Sequence, residues 1–310
     1  MGFSVIPIVS VNLGANHSPT AGGRMPIEKA SAVVVRKPWG RADLRPWSDN
    51  YEGDGLVGEL WFQRSIGNDR EAAFLLKLLF TDMPLSIQVH PDDVYARSIG
   101  LPNGKTEAWY VLSATGTAKV ALGFQENIKP VELRRSIEDG TVIDRIQWRS
   151  VEKGETIFVP AGTVHSIGAG LVIAEIQQRS DATFRIFDFG RDRKLDVDHA
   201  MSVADAGPVR LQLPPRRLSN ERVLLAACPH FVLERLELAK NASWMLRAEF
   251  EAWMLVIEGD AWIGPVRVSV GDVVFLEGDT AEVQTGRNGL LALFAYSADK
   301  PSDDLLKKRH

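Results

Sequence analysis

Alternation of apolar and polar positions, rather than helical spacing, runs through most of this chain. From Ser31, Ala32-Val33-Val34-Val35 predicts a strand that ends at Lys37-Pro38-Trp39-Gly40. Ala72 to Phe80 is apolar but for Lys77, and as a strand it sets Leu75, Lys77 and Leu79 on one side. A lysine so placed either snorkels to the edge or meets a carboxylate or substrate oxygen. Leu85 to His90 turns Ser86, Gln88 and His90 to one face and Ile87 and Val89 to the other, and Pro91 ends it. Lys105 to Leu112 likewise aligns Lys105, Glu107 and Trp109. In Leu171 to Ser180, Ile173, Glu175, Gln177 and Arg179 share a face against Ala174, Ile176 and Gln178, which predicts a polar barrel interior of the kind that takes ligands.

The period changes between Phe124 and Trp148, where Leu133, Ile137, Val142, Ile143 and Ile146 fall at helical spacing and Gly140 closes the first helix. A small helical insertion is therefore expected over about residues 125–148 of the first barrel, with Lys153-Gly154-Glu155 as a turn where strands resume. Residues 1–28, with Gly14, Pro19, Gly22 and Gly23, read as a loose leader, and Pro208, Pro214 and Pro215 mark a boundary between a domain of residues 29–207 and one of residues 208–310. In the second domain Phe231 to Leu238 and Trp253 to Ile257 predict strands, and Gly271-Asp272-Val273-Val274-Phe275 echoes Gly154-Glu155-Thr156-Ile157-Phe158. The echo predicts a second barrel built like the first. In that register Glu282 falls where His165 stands, so no metal ligands are expected in the second barrel. The charged tail from Lys300 to His310 is expected to fray. The expected fold is mainly β.

Composition narrows the setting. In 310 residues, 36 basic side chains face 40 acidic ones for a net charge of -4, which removes the basic signature of a nucleic-acid binder. The one cysteine, Cys228, sits among small apolar neighbours and excludes both a disulfide framework within the chain and a cysteine-based metal cluster. No uninterrupted apolar run is long enough to span a membrane, and Phe3 to Leu13 lacks the basic flank of a secretion signal, so a cytoplasmic protein is expected.

The candidate chemistry lies between Leu85 and Arg185. Gln88 and His90 share a strand face, Glu107 sits in a half-buried strand, and the turn Pro160-Ala161-Gly162 delivers His165 to the head of another. Each histidine alone reads equally well as an ordinary hydrogen-bonded strand residue. Two imidazoles, a carboxylate and an amide together form a nitrogen and oxygen set suited to Zn²⁺ or another first-row divalent ion, with a position left for water or substrate. A buried carboxylate such as Glu107 also demands a positive partner.

In order, Leu85 to Asp93, Gly104 to Leu112, Pro160 to Gly168 and Glu175 to Arg191 resemble the successive motifs of type I mannose-6-phosphate isomerases of the short bacterial form, and the resemblance runs from about Trp39 to Ser297. It implies two cupin-type jelly-roll barrels and one Zn²⁺ or other divalent ion per chain on His90, Glu107, His165 and Gln88, the amide being the weakest ligand. It also implies interconversion of mannose 6-phosphate and fructose 6-phosphate through a cis-enediol or enediolate. The family's active-site arginine falls on Arg185. Glu175 is the candidate base, although lysine and metal-bound water routes fit the same residues. Lys105 would pair with a ligand carboxylate or with substrate oxygens, and Arg179 and Lys77 are candidate substrate contacts. The family commonly carries a small polar residue where this chain has Arg179, which puts sugar or phosphate contacts there in question. Two alternatives stay open at this point: a sugar-binding relative without turnover, and a metal cupin with oxygenase-type chemistry. Monomer and homodimer are equally open.

Overall fold

The computed structural model describes residues 27–48, 55–64, 71–209, 212 and 214–309. After β1 (Ile27–Lys29), which belongs to the second barrel's sheet, the first barrel follows the expected alternation through β2 (Ser31–Arg41), β3 (Val57–Gln63), β4 (Phe74–Thr81), β5 (Ile87–Val89), β6 (Glu107–Ala114), β7 (Lys119–Phe124), β8 (Ile146–Ser150), β9 (Thr156–Val159), β10 (His165–Ile167), β11 (Leu171–Gln178) and β12 (Phe184–Phe187). Among the described residues four helices interrupt it: α1 (Asp93–Ser98), α2 (Pro130–Glu138), α3 (Val142–Arg145) and α4 (Val197–Val203). The second barrel comprises β13 (Arg216–Arg217), β14 (Arg222–Cys228), β15 (Phe231–Leu238), β16 (Ser243–Ala248), β17 (Ala252–Ile263), β18 (Val266–Ser269), β19 (Val273–Leu276), β20 (Asp279–Tyr296) and β21 (Leu306–Lys308).

Two sheets face each other in the first barrel, one ordered β2-β3-β4-β11-β6-β9 and the other β12-β5-β10-β7-β8. Trp109, Val111, Ile157 and Ile173 pack between them. The opposite face of the first sheet is also buried, because Leu76, Leu78, Ala108 and Tyr110 pack against Leu233, Trp253, Leu255 and Phe275 of the second barrel. That double burial explains why β4 and β11 read as nearly continuous apolar runs. The two barrels thus share a core.

Three expectations change in detail. Residues 1–26 of the expected leader lie outside the described residues, but Ile27 to Lys29 form a strand that pairs with β19, so the chain begins its described course in the second barrel's sheet. The helical stretch stops at Arg145, and Ile146 to Ser150 pair with β7 as a strand. Of the proline-rich segment between the barrels, residues 210, 211 and 213 lie outside the described set. The tail is tied down rather than frayed: Leu305 is buried and β21 pairs with β16, since two leucines among its charges can enter the core.

The echo between barrels is a matched hydrogen-bond register. Gly154 N–H donates to Val111 and Val111 N–H to Glu155, and Gly271 N–H donates to Val256 and Val256 N–H to Asp272 in the same way. Both glycines sit at positive φ (92° and 85°), where the tight turn requires them. Counting along the paired strands from Val111 and Val256, Ala252 takes the place of Glu107, Glu234 that of Lys77, and Arg222 that of Glu59. The second Glu-Ala-Trp segment, Glu251 to Trp253, is therefore one residue out of step with the first. Its carboxylate turns to the interface, where it accepts from Ala73 N–H at 2.7 Å.

Candidate metal centre

Each side chain reaches the centre for a local reason. Pro91 stops the chain after β5 and leaves His90 beside Gln88 on the inward face. Glu107 opens β6. Gly162, at φ 87°, turns the chain so that His165 opens β10 opposite Gln88. The three ligand atoms offered by His90, Glu107 and His165 lie within 4.8 Å of one another, all buried. His90 Nε2 is 3.6 Å from Glu107 Oε2, and His165 Nε2 is 3.5 Å from Glu107 Oε1.

The outer contacts orient these atoms. His90 Nδ1 lies 2.7 Å from the Ala182 carbonyl and His165 Nδ1 lies 2.9 Å from the Thr163 carbonyl, so the ring protons belong on Nδ1 and both Nε2 lone pairs face the carboxylate. Burial pushes His90 well below its usual pKa and His165 down to about 4, and both imidazoles are neutral and fit to bind a cation. Glu107 Oε1 accepts the Trp109 indole N–H at 3.0 Å. His90 Nε2, His165 Nε2 and the Glu107 carboxylate converge on one point, an arrangement that fits a divalent ion at bond lengths of about 2.0–2.2 Å. Gln88 presents its amide nitrogen 3.3 Å from His165 Nε2, while its Oε1 accepts from Ser86. A flip of that amide would offer the oxygen instead.

Two lysines flank the carboxylates. Lys105 Nζ sits 2.7 Å from Glu107 Oε2, 3.1 Å from His90 Nε2 and 3.9 Å from Glu175 Oε1. Burial alone would lower its pKa, but Glu107 and Glu175 outweigh burial and raise it, so Lys105 is charged. Lys77 is buried rather than snorkelling: its Nζ lies 3.8 Å from Glu175 Oε1 and 4.0 Å from the Trp61 ring centre, and burial lowers its pKa. Burial, with the charge on Glu107 adding to it, raises the Glu175 carboxyl despite Lys105 and Lys77.

One cavity takes in Gln88, Glu107, Lys105, Glu175, Lys77 and Arg185. Arg185 pairs across from Gln88 and donates through Nη1 to the Lys194 carbonyl, while its buried Nε has no acceptor among the described residues. Arg179 does not line this cavity. Regular β11 ends at Gln178, whose side chain is held by Asp93 and by Thr106 N–H, so the alternation does not carry on to Arg179. Its guanidinium instead meets Glu71 at 3.1 Å and lines a cleft near His230.

Asp181, Thr183 and Arg193, none of them named as a candidate from the sequence, also line the cavity, as does Glu59, whose segment the family resemblance sets near the site. Glu59 had a legible signal in Gly58-Glu59-Leu60-Trp61: in a strand, positions i and i+2 share a face, and Trp61 donates its indole N–H to Glu59 as Trp109 does to Glu107. Burial raises the Glu59 carboxyl, but Lys37 and Lys77 outweigh it and hold the group below the usual carboxylate range. Arg193 stands just past the motif that ends at Arg191, held by Asp188 and stacked over Trp39.

No family model matches the chain. It is 34% identical over 198 residues to a mannose-6-phosphate isomerase of Streptococcus mutans, covering 59% of this chain and 61% of that protein. It is 38% identical over 136 residues to a probable mannose-6-phosphate isomerase of Bacillus subtilis, covering 42% and 43%. The matches thus span less than two thirds of either relative. Among solved structures, the mannose 6-phosphate isomerase of Bacillus subtilis superposes with a TM-score of 0.77 at 22% identity, over 88% of this chain and 99% of the other. A putative mannosephosphate isomerase of Archaeoglobus fulgidus superposes with a TM-score of 0.68 at 17% identity, over 87% and 97%. The two-barrel cupin fold is common to all three.

Proposed function

We propose that this chain, kin to the type I mannose-6-phosphate isomerases in sequence and in fold, interconverts mannose 6-phosphate and fructose 6-phosphate by moving a proton between C1 and C2 of the open-chain sugar. One observation carries the reading: Glu107 of the His, Glu and His ligand set lines the same cavity as a carboxyl of raised pKa, two buried lysines and an arginine. Oxygenase chemistry has no use for so many charged groups, whereas a polyol phosphate does.

His90, Glu107 and His165 would hold the ion, with Gln88 as a fourth donor after its amide flips. Zn²⁺ suits this set, and when bound it supplies positive charge that favours the enediolate oxygens. Glu175 takes the carbon-bound proton as its carboxylate and returns it to the neighbouring carbon; burial keeps it basic enough to do so. Lys105 cannot give up its proton easily, so it orients Glu107 and Glu175 and offers N–H donors to substrate oxygens. Lys77 steadies the other side of Glu175. Arg185, which lines the cavity, stabilises the developing oxyanion, a task for a cation that stays charged. Sugar phosphates do not cross membranes unaided, so a cytoplasmic setting suits this chemistry and the buried free thiol of Cys228.

Mannose 6-phosphate turnover measured in a coupled assay, before and after chelation, tests the reading. Chelator-sensitive turnover is expected; a fully metallated chain that binds the sugar without converting it would establish the non-catalytic alternative.

A further inference from the structure

Beside the metal cavity a short turn fixes a cation that no step of the proton transfer uses. After β12 the chain doubles back through Asp188-Phe189-Gly190-Arg191, and the Arg191 N–H donates to the Asp188 carbonyl at 3.1 Å. Phe189 takes the left-handed conformation at φ 52°, followed by Gly190 at φ 79°. A bulky residue in that region is strained, and such strain persists only where the surroundings hold it. Here the Phe189 ring packs edge-on to Phe187, with centroids 5.1 Å apart. The turn thereby returns two arginines to one carboxylate.

That carboxylate belongs to Asp188, whose side chain is 3% exposed. Arg191 donates to its Oδ1 through Nε at 3.0 Å and to the Pro84 carbonyl through Nη1 at 2.9 Å, so it anchors the turn to the wall. Arg193 donates Nε to Oδ2 at 2.6 Å and Nη2 to Oδ1, and its guanidinium carbon lies 4.9 Å from the Trp39 ring centre. This two-point grip leaves Arg193 Nη1 without an acceptor among the described residues, on a side chain that lines the cavity together with Arg185. The other cavity cations have carboxylates of their own: Lys77 faces Glu175, Lys105 faces Glu107 and Lys37 faces Glu59. Arg193 has to share Asp188 with Arg191, and after burial its charge is the next cause that lowers the Arg185 pKa. Neighbouring guanidiniums that share so little negative charge are offset by an anionic ligand.

We propose that Asp188 is a positioning residue: it holds Arg193 at the cavity so that Arg193 binds the phosphate of the sugar phosphate and sets the preference for a phosphorylated over a neutral sugar. The inference rests on the sugar phosphate reading of the cavity and gives neither residue a part in moving the proton. A guanidinium already fixed by a buried carboxylate loses little freedom when the ligand arrives.

Equilibrium binding of mannitol 6-phosphate and of mannitol to the full chain loaded with Zn²⁺ tests this without turnover, because neither ligand has a carbonyl to isomerise. Arg193→Ala should weaken mannitol 6-phosphate by about tenfold or more and leave mannitol within about threefold. Asp188→Asn keeps the shape and removes the charge. It should weaken the phosphorylated ligand by a similar factor in the parent chain and by less than about twofold on top of Arg193→Ala, since a residue that acts through another adds nothing once that other is gone. An Asp188 that only supports the fold would cost the same in both backgrounds, and that result overturns the positioning role. An undiminished preference for the phosphorylated ligand in Arg193→Ala overturns the whole proposal, as does the absence of saturable mannitol 6-phosphate binding up to about 10 mM. Should Asp188→Asn not fold, Arg193→Lys decides: it keeps the charge but gives up the planar two-point grip, so a loss of about tenfold supports the role and retained affinity overturns it. Turnover is scored separately. A chain that binds mannitol 6-phosphate through Arg193 but does not convert mannose 6-phosphate would sink the isomerase reading and leave this one standing.

Discussion

Glu107 and His165 belong to opposite sheets of the first barrel, yet Oε1 of one lies 3.5 Å from Nε2 of the other. The metal centre therefore sits between the sheets, with Glu107 from one side and both histidines from the other. An ion held there would tie the sheets together.

Removing the ion is accordingly expected to do two things at once. Chelation should abolish turnover and lower the melting midpoint, and re-addition of Zn²⁺ should restore both, because an ion that binds only the folded chain stabilises it. Glu107→Gln should lower the metal content measured by elemental analysis together with activity. Full occupancy in that variant would remove Glu107 from the ligand set.

The pH dependence follows from Glu175. Its carboxyl is raised above the usual 4.5 by burial first and by the nearby charge of Glu107, against Lys105 and Lys77, so the proton is retained to a higher pH than on a free side chain. A base in that state gains activity as pH rises through its folded pKa and loses it as pH falls. The acid limb of kcat/KM should therefore lie above pH 4.5. Glu175→Gln should erase that limb and reduce turnover by roughly 10²–10⁴ with metal content unchanged. A limb that survives the substitution would move the base elsewhere.

For Arg185 the expected loss is in kcat. Arg185→Ala should lower turnover by about a hundredfold or more while leaving the ion bound, as removal of an oxyanion partner does. Metal loss along with activity would make Arg185 a support of the site rather than a partner of the reaction.

Arg179 supplies the contrast. It reaches Glu71, itself largely exposed, and surface pairs of this kind contribute little. Arg179→Ala should leave kcat and KM within about twofold and stability within about 0.5 kcal/mol. A large rise in KM for the phosphorylated sugar would return Arg179 to the substrate.

Legibility followed the range of the forces involved. The strand Phe231–Leu238 and the turns at Gly154 and Gly271 were readable because period-two alternation and positive φ are properties of a few neighbouring residues. His90, Glu107 and His165 could be nominated from their strand faces and from the family resemblance. The burial of Lys77 could not, since it depends on Glu175 and Trp61 arriving from β11 and β3. Arg179 failed for the converse reason: alternation extrapolates one residue too far when a strand ends.

The amino-acid order by itself determined the mainly β character, the repeated barrel plan and which side chains could serve as ligands, because each rests on local backbone preference and on the chemistry of the residue. Tertiary structure alone decided that both faces of the first barrel's larger sheet are buried, that β1 and β21 are held in the second barrel, and that the second Glu-Ala-Trp segment points to the interface instead of into a metal site. A shift of one residue in strand register exchanges inside for outside, and register is set by contacts between strands far apart in the chain.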